Sequence, residues 1–391
     1  MSRIRVVFGI GGLHGGGAER QMITVLQHLD RSRFQPFLYL VYRTGPLLRE
    51  VPKDVPVVAF DERWQGARWP GVMMHRRQVA DMRAYLAEVQ ADVCCDRTFL
   101  MTLIAAKAAQ AANIPNVSTV VTEPHHAFPL LAGRFQSSKR RLLRRLYENS
   151  TTVLANSNGA ANAAQRFYGL PSGMIQTLYN AIDLERIDRL ASVPVQQSWW
   201  TANSSRPVFR MVTAGRLTTQ KGFGLLIDAV AEIQKQHSAV ELRLAILGEG
   251  PDRIDFQTKI NDHGLQSQIV MPGFIENAVA WYHEANLMVL PSLFEGFPNV
   301  LMEAMACGTA VLSSDCPFGP SELLENGRWG RLCQVGDQAD LASQLLRYIN
   351  EPGRADLMAK EARVYVRRTF GVSEILSQLE TVLVDAAGTR H

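Results

Sequence analysis

Two glutamates, Glu295 and Glu303, stand with seven residues between them in EGFPNVLMEAMACGT, on either side of a Gly-Phe-Pro-Asn turn. The wider stretch LMVLPSLFEGFPNVLMEAMACGTAVLSSD reads as strand, loop, helix, strand. It places Glu295 on the loop after Gly-free residues and before Gly296, Pro298 at the first helical position, and Glu303 inside the helix. The amides around Phe297, Asn299 and Val300 then form a helix N-terminus that accepts a phosphate, and Glu303, a little over one turn in, points at another part of the same ligand. Ionised carboxylates only accept hydrogen bonds, so acids on both sides of a phosphate suit hydroxyl groups at each end. A nucleotide diphosphate-sugar, with ribose, phosphates and hexose in a row, has that layout. A glycosidase acid/base pair competes, but a hydrolase needs no cationic phosphate cradle. Glu303 as a plain helix-face charge is the remaining alternative.

The cationic cradle is read from AGRLTTQKGF, where Arg216 and Lys221 follow a strand and precede a helix with no acid beside them in the sequence. A planar guanidinium fork and an ammonium point charge together suit a diphosphate. After the first strand, GGLHGGGAER offers glycines, Gly16 and Gly17 among them, that let backbone approach a ligand ahead of a helix N-terminus. It is out of register for the dinucleotide G-x-G-x-x-G, and no Gly-Lys-Ser/Thr of a P-loop follows. Residues 134–145 carry Arg134, Lys139, Arg140, Arg141, Arg144 and Arg145, with Leu142, Leu143 and Leu146 at helical spacing. A basic amphipathic helix suits an anionic membrane surface or a lipid diphosphate; a solvated face with its leucines in the core is the alternative. Nucleic acid is disfavoured because aromatic residues do not alternate with these bases. No Asp-x-Asp or His/carboxylate cluster has metal-ligand spacing, so no metal cofactor is expected.

The elements that must carry these residues follow from pattern. Short apolar runs at 4–10, 36–41, 55–60, 92–96, 116–121 and 151–156 alternate with helical candidates, and the alternation restarts at 208–215, 241–247, 268–271, 287–290, 309–313 and 330–333. Apolar runs without strict alternation are what a parallel sheet covered on both faces demands. Two doubly wound α/β halves facing across a cleft result, with the boundary in the Pro-, Ser- and Gln-rich stretch around 181–207. The chain's 391 residues, 47% of them hydrophobic, are enough for two such cores. A net charge of +4 names no partner by itself, and five cysteines without Cys-x-x-Cys spacing suit a reducing cytoplasm. No run is long and apolar enough to span a membrane, so any membrane contact is expected to be peripheral.

The set GGGAER, GRLTTQKG, LGEGP, PGFIENA and above all PSLFEGFPNVLMEAMACGTAVLSSDC resembles the retaining GT-B glycosyltransferases of family GT4. DCPFGPSELLENGRWGRL is similar to members that build bacterial surface polysaccharides and lipid-linked glycans. The resemblance implies an N-terminal acceptor domain over 1–190, a donor domain over 191–370 and a C-terminal helix over 371–391 that crosses back. It further implies that Arg216 and Lys221 hold the donor diphosphate, that Glu295 contacts the hexose, and that Glu303 binds the ribose. Gly296, Phe297, Asn299 and Val300 approach phosphate and sugar through their backbone, Gly273 and Phe274 pack on the base, and Gly16 and Gly17 lie near diphosphate and acceptor. VVTEPHHAF matches the catalytic histidine region, where His125 is expected to face the ligand rather than His126, because alternate side chains of an extended backbone point oppositely. The implied activity is transfer of a hexose or N-acetylhexosamine, from a UDP-sugar, to a saccharide or lipid-diphosphate-linked acceptor, on the cytoplasmic face of the inner membrane. Arg140, Arg141, Arg144 and Arg145 would meet the acceptor or membrane. A nucleotide-sugar epimerase or a non-catalytic sugar-nucleotide-binding protein of the same architecture are the alternatives.

Overall fold

The computed structural model describes residues 3–64, 66, 71–236 and 239–389. They divide into two compact units, the first made of 1–181 with 372–391, the second of 182–371. Unit 1 runs β1 (Ile4–Ile10), α1 (Gly17–His28), β2 (Phe34–Leu40), β3 (Val57–Ala59), α2 (Phe60–Arg63) and α3 (Gly71–Glu88). It continues with β4 (Val93–Arg97), α4 (Phe99–Ala111), β5 (Asn116–Val120), α5 (Pro124–Leu131), α6 (Gln136–Glu148), β6 (Thr152–Ala155), α7 (Asn158–Tyr168) and β7 (Ile175–Thr177). Unit 2 opens with α8 (Leu184–Ala191), α9 (Ser198–Thr201), β8 (Val208–Ala214), α10 (Phe223–Gln236), β9 (Glu241–Leu247), α11 (Arg253–Asp262) and β10 (Ile269–Gly273). There follow α12 (Ala278–Glu284), β11 (Leu287–Leu290), α13 (Asn299–Cys307), β12 (Ala310–Ser314), α14 (Pro320–Leu323), β13 (Arg331–Cys333), α15 (Gln338–Asn350) and α16 (Pro352–Thr369). The last helix, α17 (Val372–Gly388), belongs to unit 1.

Each unit is built on one parallel sheet, ordered β3-β2-β1-β4-β5-β6-β7 in unit 1 and β10-β9-β8-β11-β12-β13 in unit 2. Strands joined through helices in this way have both faces covered, and β1 shows the consequence residue by residue. Val6, Phe8 and Ile10 pack into a core with Leu26, Leu376, Leu379 and Leu383 of α1 and α17, whereas Val7 packs on the opposite face with Met82, Leu86 and Met101 of α3 and α4. In unit 2, Met211, Leu244, Val289 and Leu312 do the same against Leu226, Val230 and Leu345. Both strand orders reverse direction between the first strand and its later neighbour, β1/β4 and β8/β11, the switch point at which open α/β sheets take ligands.

The boundary falls at Ala181/Ile182 rather than at 190. Helix α8, capped by Asp183 through the Arg186 amide, packs on α12 and α13 and so joins unit 2. The stretch around 193–202, which its composition marks as a linker, is pinned as well. Arg243 donates to the carbonyls of Trp199, Trp200 and Ala202, and Glu284 accepts from the Trp200 indole and the Val195 amide. Trp200 is fully buried.

Candidate active site

In unit 2, two loops at the carboxyl ends of β8 and β11 are fastened together. The Leu293 amide donates to the Gln220 carbonyl at 2.8 Å, and the Gln220 side chain donates to the Phe294 carbonyl at 2.9 Å. Gly222, at φ +66°, makes the approach possible: a Cβ there would lie 2.0 Å from the Pro291 carbonyl oxygen. Between these backbone ties, Lys221 Nζ donates to Glu295 Oε1 at 2.6 Å, and Ser292 Oγ donates to the same oxygen at 2.7 Å. Both charged side chains are mostly buried, at 18% and 10% exposure. Lys221 is therefore not the uncompensated cation that its sequence neighbours suggest, because β8 and β11 are adjacent in the sheet and bring an acid from 74 residues away. Arg216 differs: its side chain is exposed and has no ion-pair partner among the described residues.

Helix α13 begins at Asn299, with Pro298 as its cap residue (φ −80°, ψ 94°) rather than at the first helical position. Pro298 supplies a carbonyl to the Leu301 and Met302 amides and has no N–H of its own to give. Phe297 turns its ring into the core against Phe370, centroids 5.4 Å apart, which leaves Phe297 only its backbone to offer a ligand. Asn299, Val300 and Glu303 are half-buried, and the Glu303 charge is close enough to add to the burial that pushes the Cys307 thiol up to about 12. Gly273 ends β10 at φ +89°, its carbonyl accepting from Gly248, and the Phe274 ring that follows is 58% exposed. An exposed aromatic at a strand end is open to stacking.

In unit 1, the glycine loop leads into α1 with Gly16 as its cap, but the Gly16 N–H donates to Glu19 Oε2, the one half of a capping box that a glycine cap allows. That amide is occupied by the chain's own carboxylate rather than open to an anion. The histidine region departs further from expectation. Residues 124–131 are helical, not extended, with Pro124 in the first turn and Glu123 as cap. One buried carboxylate takes four donors: Oε1 from the His125 amide (2.7 Å) and His125 Nδ1 (2.6 Å), Oε2 from the His126 amide (2.8 Å) and His126 Nδ1 (2.7 Å). Because the backbone curls into a helix, side chains do not alternate here and the two imidazoles share one carboxylate. Burial pushes the Glu123 carboxyl up, but these hydrogen bonds outweigh it and hold the group below the usual carboxylate range. The dipeptide Glu-Pro ahead of His-His is a cap signal that could have located Glu123.

Helix α6 is where the sequence places the basic residues. Leu143, Leu146 and Tyr147 are buried in a core with Phe99, Phe128 and Tyr168, so the apolar face is spent on unit 1 itself. Arg140, Arg141, Arg144 and Arg145 are exposed. Arg144 pairs with Glu148 at 2.8 Å, and the Arg140 guanidinium lies 4.4 Å over the Phe167 ring, whose edge neighbour is His125. Leu130, Leu131 and Phe135, just ahead of α6, are exposed apolar side chains. Asp96, at the end of β4, went unnoticed in the sequence: fully buried, it accepts from Thr102 and Ser118, and burial pushes its carboxyl up to about 7. Among the described residues, no three His, Cys, Asp or Glu side chains converge as a metal site would require, and no helix is long and apolar enough to cross a membrane.

The family model described as Glycosyltransferase Family 4 matches residues 15–186, and that of Glycosyl transferases group 1 matches 208–351. The chain is 30% identical over 197 residues to the N-acetylgalactosamine-N,N'-diacetylbacillosaminyl-diphospho-undecaprenol 4-alpha-N-acetylgalactosaminyltransferase of Campylobacter jejuni, covering 50% of each chain. It is 34% identical over 184 residues to the amylovoran biosynthesis glycosyltransferase AmsK of Erwinia amylovora, covering 44% of each. The chain thus spans about half the length of the curated relatives it matches. Among solved structures, Anabaena HepE in complex with UDP and glucose is similar at a TM-score of 0.80 and 21% identity, covering 98% of this chain and 100% of that one. The sucrose-phosphate synthase of Thermosynechococcus elongatus is similar at 0.79 and 18% identity, covering 99% and 100%. At these identities the structural likeness speaks for the fold.

Proposed function

The chain belongs to the GT4 glycosyltransferases of GT-B architecture, and from that premise we propose that it moves a hexose or N-acetylhexosamine from a UDP-sugar to a saccharide acceptor, with retention at the anomeric carbon, in bacterial surface glycan assembly. The observation that carries the reading is the fastening of the Arg216–Lys221 loop to the Glu295 loop at the start of α13. Arg216, Lys221 and the positive end of α13 receive the diphosphate and stabilise the charge that grows on UDP as it leaves. Glu295 takes hexose hydroxyls, Glu303 takes the ribose, and Phe274 beside Gly273 stacks on the base. Among the described residues no side chain presents itself as a nucleophile, and the reading is therefore attack on the face that UDP leaves, with the departing phosphate receiving the acceptor proton. Because two cations and a helix terminus do the work of neutralisation, activity persists in excess EDTA; loss restored by magnesium or manganese would overturn this part.

The acceptor is a saccharide on a lipid diphosphate, met from unit 1 at the cytoplasmic face of the inner membrane, where Arg140, Arg141 and Arg145 attract an anionic surface. The printed name of the Campylobacter jejuni relative, a transferase acting on a diphospho-undecaprenol glycan, supports this choice. UDP release from a panel of UDP-sugars and GDP-mannose, with and without membrane extract, tests the whole reading. Release confined to one UDP-sugar and dependent on extract is expected. Isomerised or free sugar formed without acceptor would favour an epimerase instead.

A further inference from the structure

The cluster at the start of α5 has a chemical consequence for how the proposed transferase reads a sugar. An ionised carboxylate has no proton to give, and Glu123 receives two amides and two ring nitrogens within 2.6–2.8 Å. Each Nδ1 must therefore carry a hydrogen, which makes Nε2 of each neutral imidazole the lone-pair nitrogen. The carboxylate lies at 1% exposure, while the side chains that carry the rings are 48% and 55% exposed, so solvent reaches the imidazoles and not the acid that holds their Nδ1 edges. We propose that Glu123 is a positioning residue that fixes His125 and His126 in the same Nδ1–H form, so that both imidazoles present hydrogen-bond acceptors to the hydroxyls of a sugar substrate. This rests on the reading of the protein as a glycosyltransferase, and it adds a second histidine and an acid to the site that the resemblance implies.

Three features favour this over an ordinary helix cap. A cap needs one oxygen and one or two amides, yet here the ring nitrogens of both following residues are drawn onto the same group. The charge on the carboxylate is held where it is by the α5 N-terminus, whose His125 and His126 amides both donate to it. Finally, the surroundings limit ring rotation: the His125 ring meets Phe167 edge-on at 5.1 Å, and Phe167 is covered from the other side by the Arg140 guanidinium at 4.4 Å.

Long-range proton–nitrogen-15 spectra of the imidazoles of the full chain at pH 8 test the proposal without any assay of transfer. Both His125 and His126 should show a protonated Nδ1 and an unprotonated Nε2. An Nε2–H form at either residue overturns it. In Glu123→Gln the amide nitrogen donates toward one ring, whose Nδ1 must then accept, so that histidine should switch to the Nε2–H form. Turnover with the sugar-bearing acceptor should fall roughly tenfold or more, the loss of one well-made hydrogen bond, with the donor KM little changed. Unaltered ring spectra in that variant also count against the proposal. If Glu123→Gln loses α5, His126→Gln keeps Glu123 and its amide bonds and should lower turnover by a similar factor; full activity there refutes the role of the second ring. Correct spectra in a protein that transfers no sugar would instead sink the proposed function and leave the positioning intact.

Discussion

Glu295→Gln should make the protein bind UDP more tightly while making it a worse transferase. Lys221 Nζ and Glu295 Oε1 are in contact at 2.6 Å. At an effective dielectric near 20, two unit charges at that separation attract by about 6 kcal/mol. Desolvation of two groups only 18% and 10% exposed cancels most of it. What remains is of the order of a charge-assisted hydrogen bond, about 1.5–3 kcal/mol, and a diphosphate recruiting Lys221 must give part of it up. Removing the negative charge of Glu295 spares that cost, for a gain of about 1.4 kcal/mol or roughly tenfold in UDP affinity. Turnover of the intact UDP-sugar should drop, since the same substitution weakens the hexose contact. Titration calorimetry with UDP on the wild type, Glu295→Gln, Lys221→Met and the double variant reads the argument directly. Lys221→Met should bind UDP roughly 10- to 100-fold more weakly, and adding Glu295→Gln to it should restore nothing. A folded Glu295→Gln protein with unchanged or weaker UDP binding, or a gain that survives in the Lys221→Met background, would show that Lys221 is not a diphosphate ligand.

Glu303→Gln should weaken UDP about tenfold yet leave 2′,3′-dideoxy-UDP untouched, because only the ribose hydroxyls are at stake; equal losses with both nucleotides would refute the assignment. Asp96 links stability to pH. Its folded pKa of about 7 lies above the ordinary 3.8, so the folded chain holds the proton more tightly, and the stability this contributes is full below about pH 4 and lost as pH rises through 7. Urea unfolding should therefore find the wild type losing about 2 kcal/mol between pH 5.5 and 8 relative to Asp96→Asn, and parallel pH profiles would count against it. Replacing Arg140, Arg141, Arg144 and Arg145 with glutamine should release the protein from anionic vesicles. Arg144 is already paired with Glu148, so about three cations act, worth about 3 kcal/mol or roughly a hundredfold in partitioning. Because Leu143 and Leu146 of α6 are buried in the core and Leu142 is half-buried, wild-type binding should also vanish in roughly 0.5 M salt, and salt-resistant binding would argue for apolar insertion instead.

The strands were the most readable part of the sequence, because a fully covered parallel strand must be apolar throughout. The runs at 241–247 and 287–290 coincide with β9 and β11 residue for residue. Strand β7 was not readable: Ile175–Thr177 has only Ile175 fully buried and no apolar run to betray it. The loops carrying Lys221 and Glu295 are recognisable in type and in position after strands, but not in their pairing, since nothing local says that Lys221 will meet an acid 74 residues away. The extended backbone expected at the histidines is absent for a different reason: Glu123 and Pro124 start a helix there and overrule the alternation. The basic helix shows the opposite limit. Its period is plain in the sequence, but whether leucines at helical spacing face lipid or a core depends on what lies against them, here Phe99, Phe128 and Tyr168.

The return of α17 to unit 1 sets an order on biosynthesis. The strand that opens at Ile4 shares its core with Ile375, Leu376, Leu379 and Leu383, which leave the ribosome only after the whole of 182–371. At about 5–20 residues per second, those 190 residues take on the order of 10–40 s to make. Throughout that interval the first unit, although started earlier, has one face of its sheet covered by α1 but not by α17, and the second unit has its full sequence before the first does. The nascent protein is thus finished from the middle outward. A ribosome that stalls near residue 371 would leave behind a first unit without Leu376, Leu379 and Leu383 to complete its core, a species that holdase chaperones should recognise.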